Sequence, residues 1–307
     1  MTKPQVINIE GLRAMPLPQW NDESSKADYG KLLVIAGSRR LAGAALLCAK
    51  AALRSGCGTV RVAAPQSVAP LLGIAVPELM VISLPETASG TIARAALPIL
   101  EEQFAPCDAA IIGPGIDADD ETDELLRELA AKIPLPTVID AQAIYAIGDG
   151  ESGAHKWPRV WTPHEGELAP IIGKKFEELG VSREDFAANF AREKNSVLVF
   201  KGRETLVAAP DGNLWKNTAG TRGMGTAGSG DVLSGIIGAL LAQGMNVAHA
   251  AVWGVHLHAL AGESAAKELG DDGMMASDFL ERIPVALRYL RNATSPAEKP
   301  RAGLRRV

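Results

Sequence analysis

The chain has 307 residues with 31 Lys plus Arg against 36 Asp plus Glu, and its formal net charge of −5 excludes a basic, phosphate-neutralising nucleic-acid binder. At 47% hydrophobic and 22% charged residues the composition is that of an ordinary globular protein, long enough to bury a large core, with disorder expected only at the ends. At roughly 150 residues per domain the length allows two domains, although α/β folds often keep such a chain in one.

The first apolar run, residues 32–36, suits a strand buried on both faces. Residues 41–55 are almost all Ala, Leu and Cys, with Lys50 and Arg54 on the solvent edge and Gly56 as the stop, so a helix is expected there. Further strands are expected at 59–63, 79–83, 109–113, 137–140, 160–162 and 197–200, separated by helical or loop-like stretches. Such alternation implies right-handed crossovers and a mostly parallel sheet covered on both faces. Residues 204–209 and 213–217 around Pro210-Asp211-Gly212 read as a hairpin. A glycine-rich loop follows, then helices over about 232–244, 247–269 and 277–290. One α/β domain is the simpler answer, with residues 1–28 as an extension before it and 292–307 as a mobile tail.

The three cysteines, Cys48, Cys57 and Cys107, show no C-x-x-C spacing and cannot all pair, which points to a reducing compartment. Residues 1–19 lack the continuous apolar core of a signal peptide, and no apolar run approaches the ~18 to 20 residues of a membrane span. A cytoplasmic protein is expected.

The densest chemical signal is residues 220–231, with glycines at 220, 223, 225, 228 and 230 directly before an apolar helix. Glycine amides converging at a helix N-terminus form an anion hole; the plain alternative is a flexible loop capped by Ser229 or Asp231. Gly223-Met-Gly225-Thr-Ala-Gly228 fits G-x-G-x-x-G but does not follow the first strand of a βαβ unit, and no Walker A motif occurs. A carboxylate at such an anion hole repels phosphate unless it has another task, and taking the proton of an attacking hydroxyl is one. The combination of loop and Asp231 therefore reads as phosphoryl transfer to a small-molecule alcohol.

Gly-Ser-Gly-Asp231 at the start of a late helix resembles the ribokinase-like superfamily, in which this aspartate is the catalytic base and Gly228, Ser229 and Gly230 would form the anion hole. The ordered set is more specific. Gly-Lys31-Leu-Leu-Val-Ile-Ala-Gly-Ser, Gly43-Ala44-Ala, Ala-Leu-Arg54-Ser-Gly-Cys-Gly-Thr-Val-Arg61-Val, Gly113-Pro-Gly115, Val-Ile-Asp140-Ala, Thr162-Pro-His164-Glu-Gly-Glu167, Lys201-Gly and Gly223-Met-Gly-Thr-Ala-Gly-Ser-Gly-Asp231-Val-Leu-Ser-Gly together resemble the NAD(P)H-hydrate dehydratases. The resemblance runs from about residue 29 to about 290. It implies a ribokinase-like three-layer α/β/α domain that phosphorylates the hydroxyl of hydrated NADH or NADPH and then expels phosphate.

Carried onto this chain, the resemblance puts hydrated cofactor near Ala44, Gly115, His164 and Asp231. It puts the nucleotide near Lys201, Gly202, Arg203, Glu204, Thr205 and Gly230. Ala44 and Gly115 read equally as small residues at a close helix–strand approach, His164 as a loop hydrogen-bonder, and Lys201 as a lysine reaching solvent. Arg203-Glu204 departs from the small residues usual in the family. The resemblance further implies ADP as phosphoryl donor, with ATP the alternative, Mg2+ travelling with the phosphates, a homo-oligomer such as a tetramer, and a separate epimerase. Glu167 and Asp140 are candidate magnesium ligands. His256 and His258 fall on different helix faces without a third ligand, and the Met and Trp residues read as packing. The rival readings are a thiazole- or hydroxymethylpyrimidine-type kinase and a catalytically silent nucleotide-binding protein.

Overall fold

The computed structural model describes residues 3–148 and 157–295. Ten strands form one sheet: β1 Gln5–Val6, β2 Lys31–Ile35, β3 Thr59–Pro65, β4 Met80–Leu84, β5 Ala109–Ile112, β6 Thr137–Ile139, β7 Arg159–Trp161, β8 Val197–Phe200, β9 Thr205–Ala208 and β10 Leu214–Asn217. Their order is β1-β10-β9-β8-β7-β6-β5-β2-β3-β4, and neighbours run parallel except for the antiparallel β8–β9 and β9–β10 pairs. The three-layer α/β/α architecture read from the sequence is present.

The helices are α1 Ile9–Arg13, α2 Ala42–Arg54, α3 Ala69–Ala75, α4 Leu97–Glu101, α5 Asp120–Lys132, α6 Gln142–Gly148, α7 Glu165–Ile172, α8 Arg183–Glu193, α9 Ser229–Ala242, α10 Val247–Leu269, α11 Ala276–Leu280 and α12 Ile283–Thr294. Alternate residues of one strand feed two cores. Leu32 and Val34 join Val62, Val138 and Val199 under α2, α9 and α10, whereas Leu33 and Ile35 join Ile112, Ile139, Trp161 and Phe200 under α5, α6 and α8. Burial on both faces is why these strands are continuous apolar runs. Close approach of α2 and α9 requires Gly235, where a Cβ would lie 2.2 Å from the Cys48 carbonyl oxygen. None of the helices among the described residues is long and apolar enough to cross a membrane.

Four boundaries differ from the sequence reading. The segment ahead of residue 29 is built into the domain: β1 pairs with β10, Leu12 is fully buried, and the Trp253 indole donates to the Met15 carbonyl at 2.7 Å. α3 is a defined helix where the sequence reading leaves a helical or loop-like stretch, being too short to show a period. The expected 277–290 helix is two helices, because Pro284 in the first turn of α12 has no N–H to continue α11. α12 runs to Thr294, into the expected tail, and residues 296–307 lie outside the described residues.

The strand order reverses at β2, which lies between β5 and β3. In open parallel sheets ligands bind in the crevice beyond the carboxyl ends of the strands at this switch point. Two backbone features shape it. Gly37 donates to the Pro114 carbonyl at 2.8 Å across the crevice, and Gly113 has φ +119°, with its Cα so near the Asp140 carbonyl that a Cβ would lie 1.8 Å from the oxygen.

Gly113→Ala is therefore expected to destabilise the protein by about 3 kcal/mol or more, since it combines an unfavourable φ with a backbone clash. Gly43→Ala, where a Cβ meets nothing within 4 Å in the first turn of α2, should be neutral or stabilising by up to about 1 kcal/mol. Thermal melting of the two variants against the parent checks both signs.

Candidate active site

α9 begins with an open N-terminus. Its N-cap is Gly228 at φ +87°, and no side chain caps it, so neither Ser229 nor Asp231 does the capping that the plain reading required. The Ser229 amide donates to the Thr226 carbonyl at 3.3 Å, and the Gly230 and Asp231 amides are left as donors at the positive end of the helix dipole. The loop in front is pinned from outside: the Gly220 amide donates to Glu263 Oε1 at 2.9 Å and the Gly223 amide to Asp271 Oδ1 at 3.2 Å. Arg222 pairs with Asp272 at 2.7 Å. These contacts restrain residues 220–224 while leaving the Gly230 and Asp231 amides open. Ser229 Oγ lies 3.4 Å from Nε2 of His258, which burial pushes down to a pKa of about 4 and thus keeps neutral at physiological pH.

Asp231 occupies the first turn of α9. Its pKa is pushed up to about 7, first by burial and then by repulsion from Asp140, with Lys201 opposing and Glu167 adding a little. Burial also raises the thiol of Cys48 in α2 well above its ordinary value, and the charges of Asp231 and Asp140 raise it further. Such a carboxylate is matched to proton abstraction near neutral pH.

Beside Asp231 lies a buried polar network at the carboxyl ends of β6, β7 and β8. Lys201 Nζ sits 3.3 Å from Asp140 Oδ1 and 3.3 Å from Glu167 Oε2. Asp140 also accepts from Thr162 Oγ1 at 2.8 Å and from Ser234 Oγ at 2.8 Å. Burial opposes the charge on Lys201, but the two carboxylates outweigh it and its pKa stays above the ordinary lysine value. The Lys201 backbone is held by Arg183, which donates to the Phe200 and Lys201 carbonyls at 3.2 and 3.0 Å, stacks over the Phe200 ring at 4.1 Å and pairs with Glu165.

The site residues expected from the sequence separate into groups. Asp231, Gly228, Ser229, Gly230 and Lys201 are brought together; a Cβ on Gly230 would stand 3.2 Å from Lys201 Nζ. Ala44 and Gly115 flank the switch-point crevice, and a Cβ on Gly115 would lie 2.7 Å from that of Ala44, so their small size is needed for close approach as well. Leu47, one turn beyond Ala44, packs on Gly228 and joins this crevice to the anion hole. His164 caps α7: Glu167 N–H donates to its Nδ1 at 3.2 Å, the His164 amide donates to Glu167 Oε2 at 2.7 Å, and the imidazole is 55% exposed.

Gly202, Arg203 and Glu204 form an exposed bend beyond Lys201, with Glu204 taken up by Lys216 at 3.1 Å and Thr205 Oγ1 donating to the Gly202 carbonyl at 3.1 Å. Asp140 is corrected as a magnesium candidate: it is 2% exposed and both oxygens are engaged by protein donors. Ser234, Thr162, Arg183, Glu263 and Asp271 were not singled out from sequence. Ser234 carries a signal, being a polar residue on the buried side of an otherwise apolar helix.

Among the described residues no group of three or more His, Cys, Asp or Glu is arranged to hold a metal ion. His256 Nδ1 pairs with Asn217 Oδ1 at 2.9 Å, apart from His258 and its Ser229 contact.

Residues 32–285 match the family model described as NAD(P)H-hydrate dehydratase. An ADP-dependent (S)-NAD(P)H-hydrate dehydratase from Xanthomonas campestris is 37% identical over 94% of this chain and 99% of its own length. A bifunctional NAD(P)H-hydrate repair enzyme from Thermofilum pendens is 40% identical over 93% of this chain, which spans about half (55%) of that relative. The solved ADP/ATP-dependent NAD(P)H-hydrate dehydratase from Bacillus subtilis, co-crystallised with ATP and Mg2+, superposes with a TM-score of 0.82 at 27% identity, covering 94% of this chain and all of that one. A ribokinase-like superfamily protein from Enterococcus faecalis shares the fold, with a TM-score of 0.76 at 24% identity over 93% of this chain and 96% of its own. With these blocks in order along the whole domain and the loop, acid and lysine gathered at one sheet end, the chain belongs to the NAD(P)H-hydrate dehydratase family.

Proposed function

We propose that this protein restores hydrated NADH or NADPH to the dihydronicotinamide in an ADP-dependent reaction. The observation that carries the reading is Asp231 at the open N-terminus of α9 with the Lys201 ammonium beside Gly230. Asp231 takes the proton of the added hydroxyl, whose oxygen attacks the terminal phosphorus of ADP. The bond to the bridging oxygen breaks and AMP leaves. The first-turn amides of α9 and Lys201 neutralise charge on the transferring group. Phosphate then leaves the sugar-linked ring with the C–O electrons, a ring proton is lost, and the double bond returns. Hydroxide is a poor leaving group and phosphate a good one, so the nucleotide drives the dehydration.

The switch-point crevice at Ala44 and Gly115, leading over Leu47 to Gly228, is the place for hydrated cofactor, with His164 at the other side of Lys201. Residues Lys201 to Thr205 and Gly230 would hold the nucleotide. The donor set fits a phosphate-borne magnesium ion, which asks for only one or two carboxylates. Among the described residues Glu167 Oε1 and the Asp231 carboxylate have no protein donor, and Glu167 would hold the ion. Bound there, Mg2+ would supply charge neutralisation to the phosphates. A kinase releasing a stable phosphate ester would use the same loop and base; the crevice with Ala44 and Gly115 and the ADP-dependent relative favour the dehydratase.

Absorbance at the dihydronicotinamide band should recover when the protein meets hydrated NADH with ADP and magnesium, and not without nucleotide. Recovery with ATP alone would replace the donor, and a stable phosphorylated product would mark a kinase. The base must be unprotonated, so kcat/KM should rise with pH through about 7 and level off above it. Asp231→Asn should lower kcat by about 10²- to 10⁴-fold while ADP still binds by calorimetry.

The same substitution has a stability signature. Raising the folded-state pKa of Asp231 from 3.8 to about 7 costs the native state on the order of 4 kcal/mol once pH exceeds 7. Below about pH 4 both folded and unfolded states are protonated and the cost vanishes. Denaturant unfolding should find Asp231→Asn more stable than the parent at pH 8 by a few kcal/mol, with the gap closing as pH falls from 7 to 4.

A further inference from the structure

Asp140 is a buried charge without a task in the chemistry above. It is 2% exposed and engaged on both oxygens, so it touches neither substrate. Removing a carboxylate from water is costly even when paired, and apolar replacements of such groups are often neutral or stabilising. Its partners, however, connect the two halves of the site. Ser234 lies three residues after Asp231 on α9, one turn along the same helix, and donates to Oδ2. Lys201, at the end of β8, donates to Oδ1 and stands against Gly230.

The backbone of Asp140 is over-determined. Its N–H donates to the Ile112 carbonyl at 3.1 Å, its own carbonyl abuts Gly113, and the next residue, Ala141, is held at φ +48°. A non-glycine residue in that region persists only where its surroundings impose it. The other carboxylate on Lys201, Glu167, is on α7 and is committed to the cap with His164. Among the described residues no hydrogen bond or ion pair joins it to α9, so it does not tie the lysine to the helix of Asp231 as Asp140 does.

We propose that Asp140 is the positioning residue that sets the Lys201 ammonium relative to Asp231, by joining the α9 helix through Ser234 to the lysine through its other oxygen. It fixes the gap in which the transferring phosphoryl group sits between base and cation. The role assigned to Lys201 rests on the dehydratase reading; the linkage between the three side chains does not.

The test is a double-mutant cycle on Asp140→Asn, Lys201→Met and Ser234→Ala, with circular dichroism and thermal melting to establish folding. Asp140→Asn should lower kcat about 10²-fold, the effect of a misplacement of roughly 1 Å, while raising the KM for ADP no more than about threefold. Lys201→Met should lower kcat at least as far, and in its background Asp140→Asn should add less than a twofold effect on kcat or on ADP affinity. A merely structural Asp140 would change melting temperature and leave the kcat of folded enzyme near the parent value.

Ser234→Ala keeps the Asp140–Lys201 pair and should lower kcat several-fold, again with little further effect in the Lys201→Met background. It carries the test should Asp140→Asn fail to fold. Multiplying effects in either cycle, or kcat within twofold of the parent for both Asp140→Asn and Ser234→Ala, would overturn the proposal. Turnover by the parent reports separately on the dehydratase reading. If the parent is inactive, the cycle is read from ADP affinity by calorimetry, where a loss of up to about threefold on Asp140→Asn that disappears in the Lys201→Met background supports the linkage and one that persists there, or no loss at all, refutes it.

Discussion

A lysine ammonium enclosed by two carboxylates is the interaction on which the site depends. Neither Asp140 nor Lys201 could be buried alone, because an unpaired charge in that environment would cost several kcal/mol. Together, with Thr162 and Ser234 filling the remaining hydrogen-bonding directions of Asp140, they tie three adjacent strand ends to the helix that carries Asp231. Opposite charge holds Lys201 protonated even as burial works against it. In the proposed reading, this charged, immobile cation beside an open helix N-terminus forms a phosphate site organised before any ligand arrives, which is the condition under which electrostatic stabilisation contributes most.

The sheet topology supplies the rest of the geometry. Parallel strands deliver Gly37, Gly113, Asp140, Thr162 and Lys201 to the same carboxyl edge, and the reversal at β2 opens the crevice that Ala44 and Gly115 line. α9 then crosses this edge from the opposite layer. α2 and α9 approach closely, as Gly235 against the Cys48 carbonyl shows, and this packing sets Leu47 of α2 against Gly228 at the start of α9.

In the role proposed for it, Asp231 carries a stability cost. Burial and the Asp140 charge make its proton harder to lose, and the pKa of about 7 that suits a base near neutral pH disfavours the folded state whenever that base is ionised. His258 lies neutral under Ser229, and side chains outside the glycine loop restrain it through the Gly220 and Gly223 amides, so that the Gly230 and Asp231 amides proposed to meet phosphate are left open.

Much of this was legible in the chain itself. Strands buried on both faces must be continuous apolar runs, and those at 32–36, 109–113 and 197–200 were found within a residue or two for that reason. The glycine loop and Asp231 announced themselves because an acid inside an anion hole demands an explanation, and the ordered motif set named the family. The short α3 and the break between α11 and α12 were not legible, since a five- or seven-residue helix has too few turns to show a period and the two read as one helix. Nor was the role of Asp140, whose partners Lys201 and Ser234 lie 61 and 94 residues away. Local sequence thus determined the elements, the glycine loop and the acid placed after it, because propensity, periodicity and turn chemistry act between near neighbours. Tertiary structure alone decided which charges are paired and which are left to act, because pairing and burial are properties of groups that meet only when the sheet closes.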